Sequence, residues 1–120
     1  MSLGPIGFLA DHDLNDRIVD GVLRRDSSIP FFRARELGLA GRPDDEVLDE
    51  AGRSSLVVVS HDVNTMTAAA LGRVSSGRGH SGLILVAQRL ALRIVIDELV
   101  LIWSATDVAE WRDRIEFLPL

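Results

Sequence analysis

Short apolar runs alternate with amphipathic stretches along the whole chain. Apolar runs over residues 6–10, 29–34, 56–60 and 82–86 predict four strands, and residues 114–118 alternate like a half-exposed edge strand. Apolar residues at helical spacing predict helices after residue 15 and over residues 43–52, 65–74 and 92–103. Alternating strands and helices predict an α/β fold, a three-layer α/β/α sandwich with a mostly parallel five-stranded sheet.

The chain of 120 residues is expected to form a single domain over 1–120. Residues 1–5 lack the basic region of a signal peptide, and we interpret them as disordered or partly a cloning remnant. No apolar run is long enough and free enough of charge to span a bilayer. The sequence contains no cysteine, which excludes disulfides, thiolate metal sites and cysteine nucleophiles. We therefore expect a cytoplasmic protein without a membrane segment.

The charge balance removes several classes of function. A formal net charge of -5 is unlike the basic footprint of a general nucleic-acid binder. All basic residues are arginines, so a lysine-dependent phosphate loop and a lysine Schiff base are excluded. Receiver domains, which need a lysine on a later strand, are excluded for the same reason.

Two acidic residues stand where predicted strands end. Asp11 follows the strand over residues 6–10, and Asp62 follows the strand over residues 56–60. Ligands of open parallel sheets bind outside the carboxyl ends of the strands, and paired carboxylates there favour a bound cation. We expect Asp11 and Asp62 to bind Mg²⁺ or Mn²⁺ together with a phosphate substrate. The alternative is that both residues only cap the helices that follow.

Further acids extend this candidate site. Asp13 and Asn64 stand two residues after the leading aspartates, where helix capping competes with a metal contact. Asp44 and Glu46 are candidates for a third acidic ligand, although acids in a first helical turn also favour the helix dipole.

For the remaining polar residues the sequence predicts supporting or surface roles. Ser60 is expected to hydrogen-bond a carboxylate or a phosphate, and His61 to pack or to hydrogen-bond rather than to bind a metal. His80, in a glycine-rich loop, is expected to be solvated, and residues 73–80 to form a mobile loop on the substrate side. Arginine pairs at 33 and 35 or at 73 and 78 are either ordinary surface residues or contacts for a nucleic-acid backbone.

The order of these motifs resembles the PIN-like domain, in particular short bacterial PIN-like proteins related to VapC-type toxins. The resemblance covers nearly the whole chain. It is carried by four segments, Phe8-Leu9-Ala10-Asp11, Arg33-Ala34-Arg35-Glu36-Leu37-Gly38-Leu39, Pro43-Asp44-Asp45-Glu46-Val47-Leu48 and Val57-Val58-Val59-Ser60-His61-Asp62.

This resemblance implies strand order 3-2-1-4-5 and a metal-dependent ribonuclease, the toxin of a toxin–antitoxin pair. Asp11, Asp44 or Glu46, and Asp62 would bind Mg²⁺ or Mn²⁺ and carry catalysis. RNA, an antitoxin protein and a second copy of the chain would be the partners. Asn64 stands where PIN domains often have a further aspartate, so a catalytically weakened interaction module is the alternative. A small-molecule phosphatase is a third hypothesis.

Overall fold

The computed structural model describes residues 4–120, so the expectation for Met1–Leu3 lies outside the described residues. Pro5 forms an isolated antiparallel bridge with Asp107, and the backbone oxygen of Gly4 accepts a hydrogen bond from Val108. The elements follow in the order β1 (Gly7–Ala10), α1 (Asp16–Arg25), β2 (Phe31–Arg33), α2 (Asp44–Ser54), β3 (Leu56–Ser60), α3 (Thr65–Ser75), β4 (Leu83–Val86), α4 (Leu92–Ala105) and β5 (Ile115–Leu118). Two short 3-10 helices lie at Ala34–Leu37 and Val108–Trp111.

All five strands are parallel and form one sheet in the order β2-β1-β3-β4-β5. The predicted α/β fold with a five-stranded parallel sheet is therefore confirmed. The order 3-2-1-4-5 implied by the resemblance is wrong for this chain, because β1 pairs with β2 on one side and with β3 on the other.

The central strands are buried on both faces, which explains their continuous apolar runs. One face packs against α1 and α4 through a core that includes Phe8, Val22 and Leu99. The other face packs against α2 and α3 through a core that includes Leu48 and Val58. This arrangement is a three-layer sandwich. None of the helices in the described part of the chain is long and apolar enough to cross a membrane.

The position of α4 gives the last crossover an unusual geometry. The steps from β3 to β4 and from β4 to β5 run in the same direction along the sheet. However, α3 covers one face and α4 covers the other, beside α1. The β4-α4-β5 connection therefore has the opposite hand to the β3-α3-β4 connection, whereas parallel crossovers are nearly always of one hand.

The contact between α1 and α4 is close at Gly21, and this closeness can be tested. A Cβ atom at Gly21 would meet the side chain of Ile96, with Cγ1 at 2.9 Å. Overpacking costs about 1–3 kcal/mol, which exceeds the roughly 1 kcal/mol that alanine gains over glycine in a helix. We expect Gly21→Ala to lower the free energy of unfolding, measured by urea denaturation.

The matched control is Gly72→Ala in α3, where nothing lies within 4 Å of the added Cβ. This variant is expected to raise the free energy of unfolding by about 0.5–1 kcal/mol. Equal effects of the two substitutions would contradict the close α1–α4 contact.

Candidate active site at the carboxyl edge of the sheet

The carboxyl ends of β1 and β3 lie side by side in the middle of the sheet. From β1 the chain moves to one edge, and from β3 it moves to the other, so this is the point where the strand order reverses. Ligands of doubly wound α/β proteins bind in the crevice at such a point. Because each helix follows a parallel strand, the amino termini of α1, α3 and α4 also face this edge.

Asp11 is the central polar residue at this point and is only 3% exposed. Its Oδ2 atom accepts a hydrogen bond of 2.8 Å from the Ser60 hydroxyl. Its Oδ1 atom accepts one of 2.9 Å from the His12 backbone N–H, and the His12 Nδ1 atom lies 3.2 Å away. No arginine forms an ion pair with Asp11 among residues 4–120. Asp11 is therefore a buried carboxylate held by neutral donors and by one half-exposed histidine.

Burial raises the pKa of Asp11 above its ordinary value of 3.8. The hydrogen bond from Ser60 and the neighbouring His12 lower this pKa, and the negative charge of Asp44 raises it. A buried carboxylate with a raised pKa and a second carboxylate nearby is the electrostatic setting that a bound cation relieves.

The raised pKa of Asp11 has a consequence for stability. In the unfolded chain this carboxyl group ionises near pH 3.8, whereas in the folded protein it ionises at higher pH. Its contribution to stability is therefore present at low pH and is lost as the pH rises through the folded pKa. We expect Asp11→Asn to gain stability relative to the natural chain as the pH rises above about 3.8.

The measurement is urea denaturation of both proteins in metal-free buffer from about pH 3 to about pH 7. Other titrating groups are common to both proteins, so the difference isolates Asp11. A difference in unfolding free energy that does not change with pH would contradict the raised pKa.

Ser60 joins the ends of β1 and β3. Its hydroxyl donates to Asp11, and its oxygen accepts a hydrogen bond of 2.9 Å from the backbone N–H of Asp62. This confirms the expectation that Ser60 hydrogen-bonds a carboxylate. Ser60 is fully buried, so it fixes the orientation of Asp11 rather than facing solvent.

Asp62 caps the start of α3. Its Oδ1 atom accepts hydrogen bonds from the backbone N–H groups of Asn64 and Thr65, and Oδ2 accepts one from the Thr65 hydroxyl. These bonds, led by the Thr65 hydroxyl, lower the pKa of Asp62. The capping interpretation therefore holds for Asp62 and not for Asp11, while a metal contact by Asp62 remains a prediction.

His61 bridges three segments at the carboxyl edge. Its Nε2 atom lies 3.3 Å from the backbone N–H of Asn15, which donates to it. Nε2 therefore carries no proton, and Nδ1 donates to the backbone oxygen of Val86 at 2.9 Å. The expected hydrogen-bonding role of His61 is confirmed.

The acids at the start of α2 face different partners. Asp44 is half-buried, and its charge acts on Asp11. Asp45 pairs with Arg73 and Arg78, and Glu46 lies 3.6 Å from Arg42. Asp44 is thus the member of this group with an electrostatic link to Asp11.

Asp13 and Asn64, which stand two residues after Asp11 and Asp62, are both exposed. Asp13 lies 3.7 Å from the His12 ring, and Asn15 rather than Asp13 caps α1 through its side chain. Asn64 occupies the cap position of α3, but its side chain makes no capping hydrogen bond. Both side chains are accessible to a ligand at the carboxyl edge.

Two expectations about residues 73–80 are wrong. His80 is buried, with 5% exposure, because the chain between α3 and β4 folds back against Trp111 and Asp113. The segment leads into the amino end of β4, so it lies at the edge opposite Asp11 and cannot form a loop beside that residue. Arg73 is also buried and donates to the backbone oxygen of Gly79 at 2.7 Å.

Sequence reasoning missed three arginines at the carboxyl edge. Arg17 and Arg93 lie in the first turns of α1 and α4, and Arg89 follows β4. All three are exposed, and within residues 4–120 none forms an ion pair. The available signal was their place in the sequence: Arg17 and Arg93 stand at the starts of predicted helices, and Arg89 follows the predicted strand over residues 82–86. Arg33, a candidate contact for a nucleic-acid backbone, forms ion pairs with Asp16 and Asp20.

The acids at the carboxyl edge can be compared with the needs of a metal ion. In the part of the chain that the structure describes, no three histidine or acidic side chains are grouped to hold a metal ion. Mg²⁺ is often held by one or two carboxylates, with waters and substrate phosphates completing its shell. Asp11, with Asp44 nearby, fits such a hydrated ion and does not fit an ion enclosed by protein.

These features define a doubly wound, parallel α/β protein with a buried carboxylate at its switch point. Comparisons with family models, with curated proteins and with solved structures gave no match to this chain.

Proposed function

We propose that the chain is a metal-dependent ribonuclease of the PIN-like type, with its active site at the ends of β1 and β3. The observation that carries the proposal is Asp11, a buried carboxylate with a raised pKa where the strand order reverses. Burying an acid without an arginine partner costs stability, and such costs are concentrated at functional sites.

Asp11 and Asp44 would hold Mg²⁺ or Mn²⁺, and Asp62 or Glu46 would contribute through water. Such an ion supplies a water of lowered pKa and stabilises charge on a phosphate oxygen. Ser60 keeps Asp11 in one orientation through the 2.8 Å hydrogen bond. The exposed groups of Asp13 and Asn64 lie where they could position the substrate or its waters.

An RNA strand would contact the same edge. Arg17, Arg89 and Arg93 are exposed and lack ion pairs to other described residues, so their guanidinium groups are available to phosphates. The amino termini of α1, α3 and α4 add partial positive charge. These groups place positive charge at the carboxyl edge, although the chain as a whole is acidic.

A metal-dependence assay tests this proposal. We expect Mn²⁺ to support cleavage of a labelled single-stranded RNA pool, and EDTA to abolish it. Restoring Mn²⁺ after EDTA should restore the cleavage. Cleavage that continues at the same rate in EDTA would contradict the proposal.

The second candidate is an interaction module that no longer cuts RNA. The observation in its favour is Asp62, whose two carboxylate oxygens both serve the start of α3. For either function we propose an antitoxin-like protein partner and a homodimer. Large apolar side chains that remain exposed, including Leu101, Phe117 and Leu120, support such contacts. A stable protein complex without Mn²⁺-dependent cleavage would favour this candidate.

A further inference from the structure

A cavity of about 450 Å³ opens at the amino-terminal edge of the sheet, opposite Asp11. Its walls come from the end of α2, the segment before β4 and the 3-10 helix before β5. Small-molecule sites typically have volumes of about 300–1,000 Å³. The cavity therefore has room for a small ligand, and it is separate from the proposed ribonuclease site.

The cavity is basic although the chain is acidic. Four arginines line it, Arg53, Arg73, Arg78 and Arg112, against one carboxylate, Asp49. The whole chain carries a net charge of -5. Arg73, Arg78 and Arg53 are paired with Asp49, Asp45 and Glu50. The positive charge left over is that of Arg112, and it favours an anionic ligand.

Arg73 is the anchored member of this arginine group. Its side chain is 7% exposed, and its guanidinium group lies 3.3 Å from Asp45 and 3.2 Å from Asp49. Arg78 and Arg53 are paired in turn with Asp45 and Asp49. These pairs fix the cavity wall.

Arg112 differs from the other three arginines. It is exposed and forms no ion pair with any residue from 4 to 120. It follows the 3-10 helix whose Val108 and Ala109 provide apolar lining. A guanidinium group free to bind an oxyanion thus stands beside a surface that suits an organic moiety.

His80 is a second and independent sign of a ligand. The residue lines the cavity and is 5% exposed. Its Nδ1 atom accepts a hydrogen bond of 3.1 Å from the backbone N–H of Gly82, so the proton of the neutral ring lies on Nε2. That Nε2 atom is buried without a hydrogen-bond partner among the described residues. Burial lowers the pKa of His80, which keeps the ring neutral.

An unpaired buried donor destabilises the folded state, and native proteins keep few of them. We propose that the cavity binds a small organic oxyanion, a phosphate ester or a carboxylate, with Arg112 and His80 as its recognition residues. Arg112 pairs with the anionic group. The His80 Nε2–H, which the surrounding protein covers, donates to an oxygen of the ligand once the ring turns toward the cavity.

Calorimetric titration with adenosine monophosphate and, separately, with citrate tests both forms of the oxyanion. At least one of the two should bind, and the one that binds identifies the group. Arg112→Gln should weaken that binding by about tenfold, the effect of losing one charge-assisted hydrogen bond. The control Arg24→Gln makes the same charge change on α1, which packs on the opposite face of the sheet from α2.

A second readout is the side-chain ¹H–¹⁵N spectrum, in which the His80 Nε2–H resonance should shift when ligand is added. Three results would overturn the proposal. They are no heat with either compound, equal affinity in Arg112→Gln and Arg24→Gln, or an unmoved His80 resonance at saturating ligand.

Discussion

Replacing Asp11 with asparagine should reduce Mn²⁺-dependent RNA cleavage by about a hundredfold or more. Loss of residues that merely orient a metal ligand costs about 10–100-fold, and Asp11 is proposed to bind the ion directly. Asparagine has nearly the same shape, so the fold should be retained. The measurement is the initial rate of cleavage at saturating Mn²⁺, with circular dichroism to verify the fold.

Asp97→Asn is the matched control. Asp97 lies on the exposed surface of α4 and pairs with Arg25, away from the strand ends. This control should cleave RNA at the rate of the natural chain. If Asp11→Asn retained that rate as well, the assignment of the active site to Asp11 would be wrong.

Replacing Trp111 with alanine should lower the free energy of unfolding by about 3–5 kcal/mol, the usual cost of truncating a buried aromatic residue. Trp111 is 1% exposed, and its indole N–H donates a hydrogen bond of 2.9 Å to the hydroxyl oxygen of Thr106. Arg114 lies 4.6 Å from the ring centroid. Trp111 therefore joins the end of α4 to β5, and urea denaturation measures its contribution.

The same substitution at Trp103 gives the comparison, because the chain has two tryptophans. Trp103 is only partly buried, and its Nε1 atom has no hydrogen-bond partner among residues 4–120. We expect Trp103→Ala to cost clearly less than Trp111→Ala. A larger loss at Trp103 would show that α4 and β5 are held together differently.

The elements of the fold were predictable because each has a local signal. The β-branched run of β3 matches Leu56–Ser60, and the apolar stripe of α4 matches Leu92–Ala105. Such patterns report how each segment meets the core. The amphipathic stripe does not say which face of the sheet α4 covers, and it gives no strand order. Those features depend on contacts between distant segments, such as Gly21 with Ile96.

The candidate site was predictable in part. A polar residue at the end of a buried apolar run marks the carboxyl edge of the sheet. This signal correctly predicted Asp11 directly after β1 and Ser60 as the last residue of β3. The sequence did not decide whether Asp62 caps a helix or binds a metal ion, because both roles use the same side chain at the same position. The structure adds the hydrogen bonds to Thr65 that occupy it.

The basic cavity at the other edge was beyond prediction from sequence. His80 lies in a glycine-rich stretch, a pattern typical of a solvated loop. Its burial results from β5 and the preceding turn, where the backbone N–H of His80 donates to Asp113. That contact joins residues 33 positions apart and has no local signature.

The most direct test of a metal site built on Asp11 is a calorimetric titration of the natural chain and of Asp11→Asn with Mn²⁺. We expect Mn²⁺ to bind the natural chain and to bind the variant at least about tenfold more weakly. Equal binding by both proteins, or no binding by either, would contradict a metal site built on Asp11.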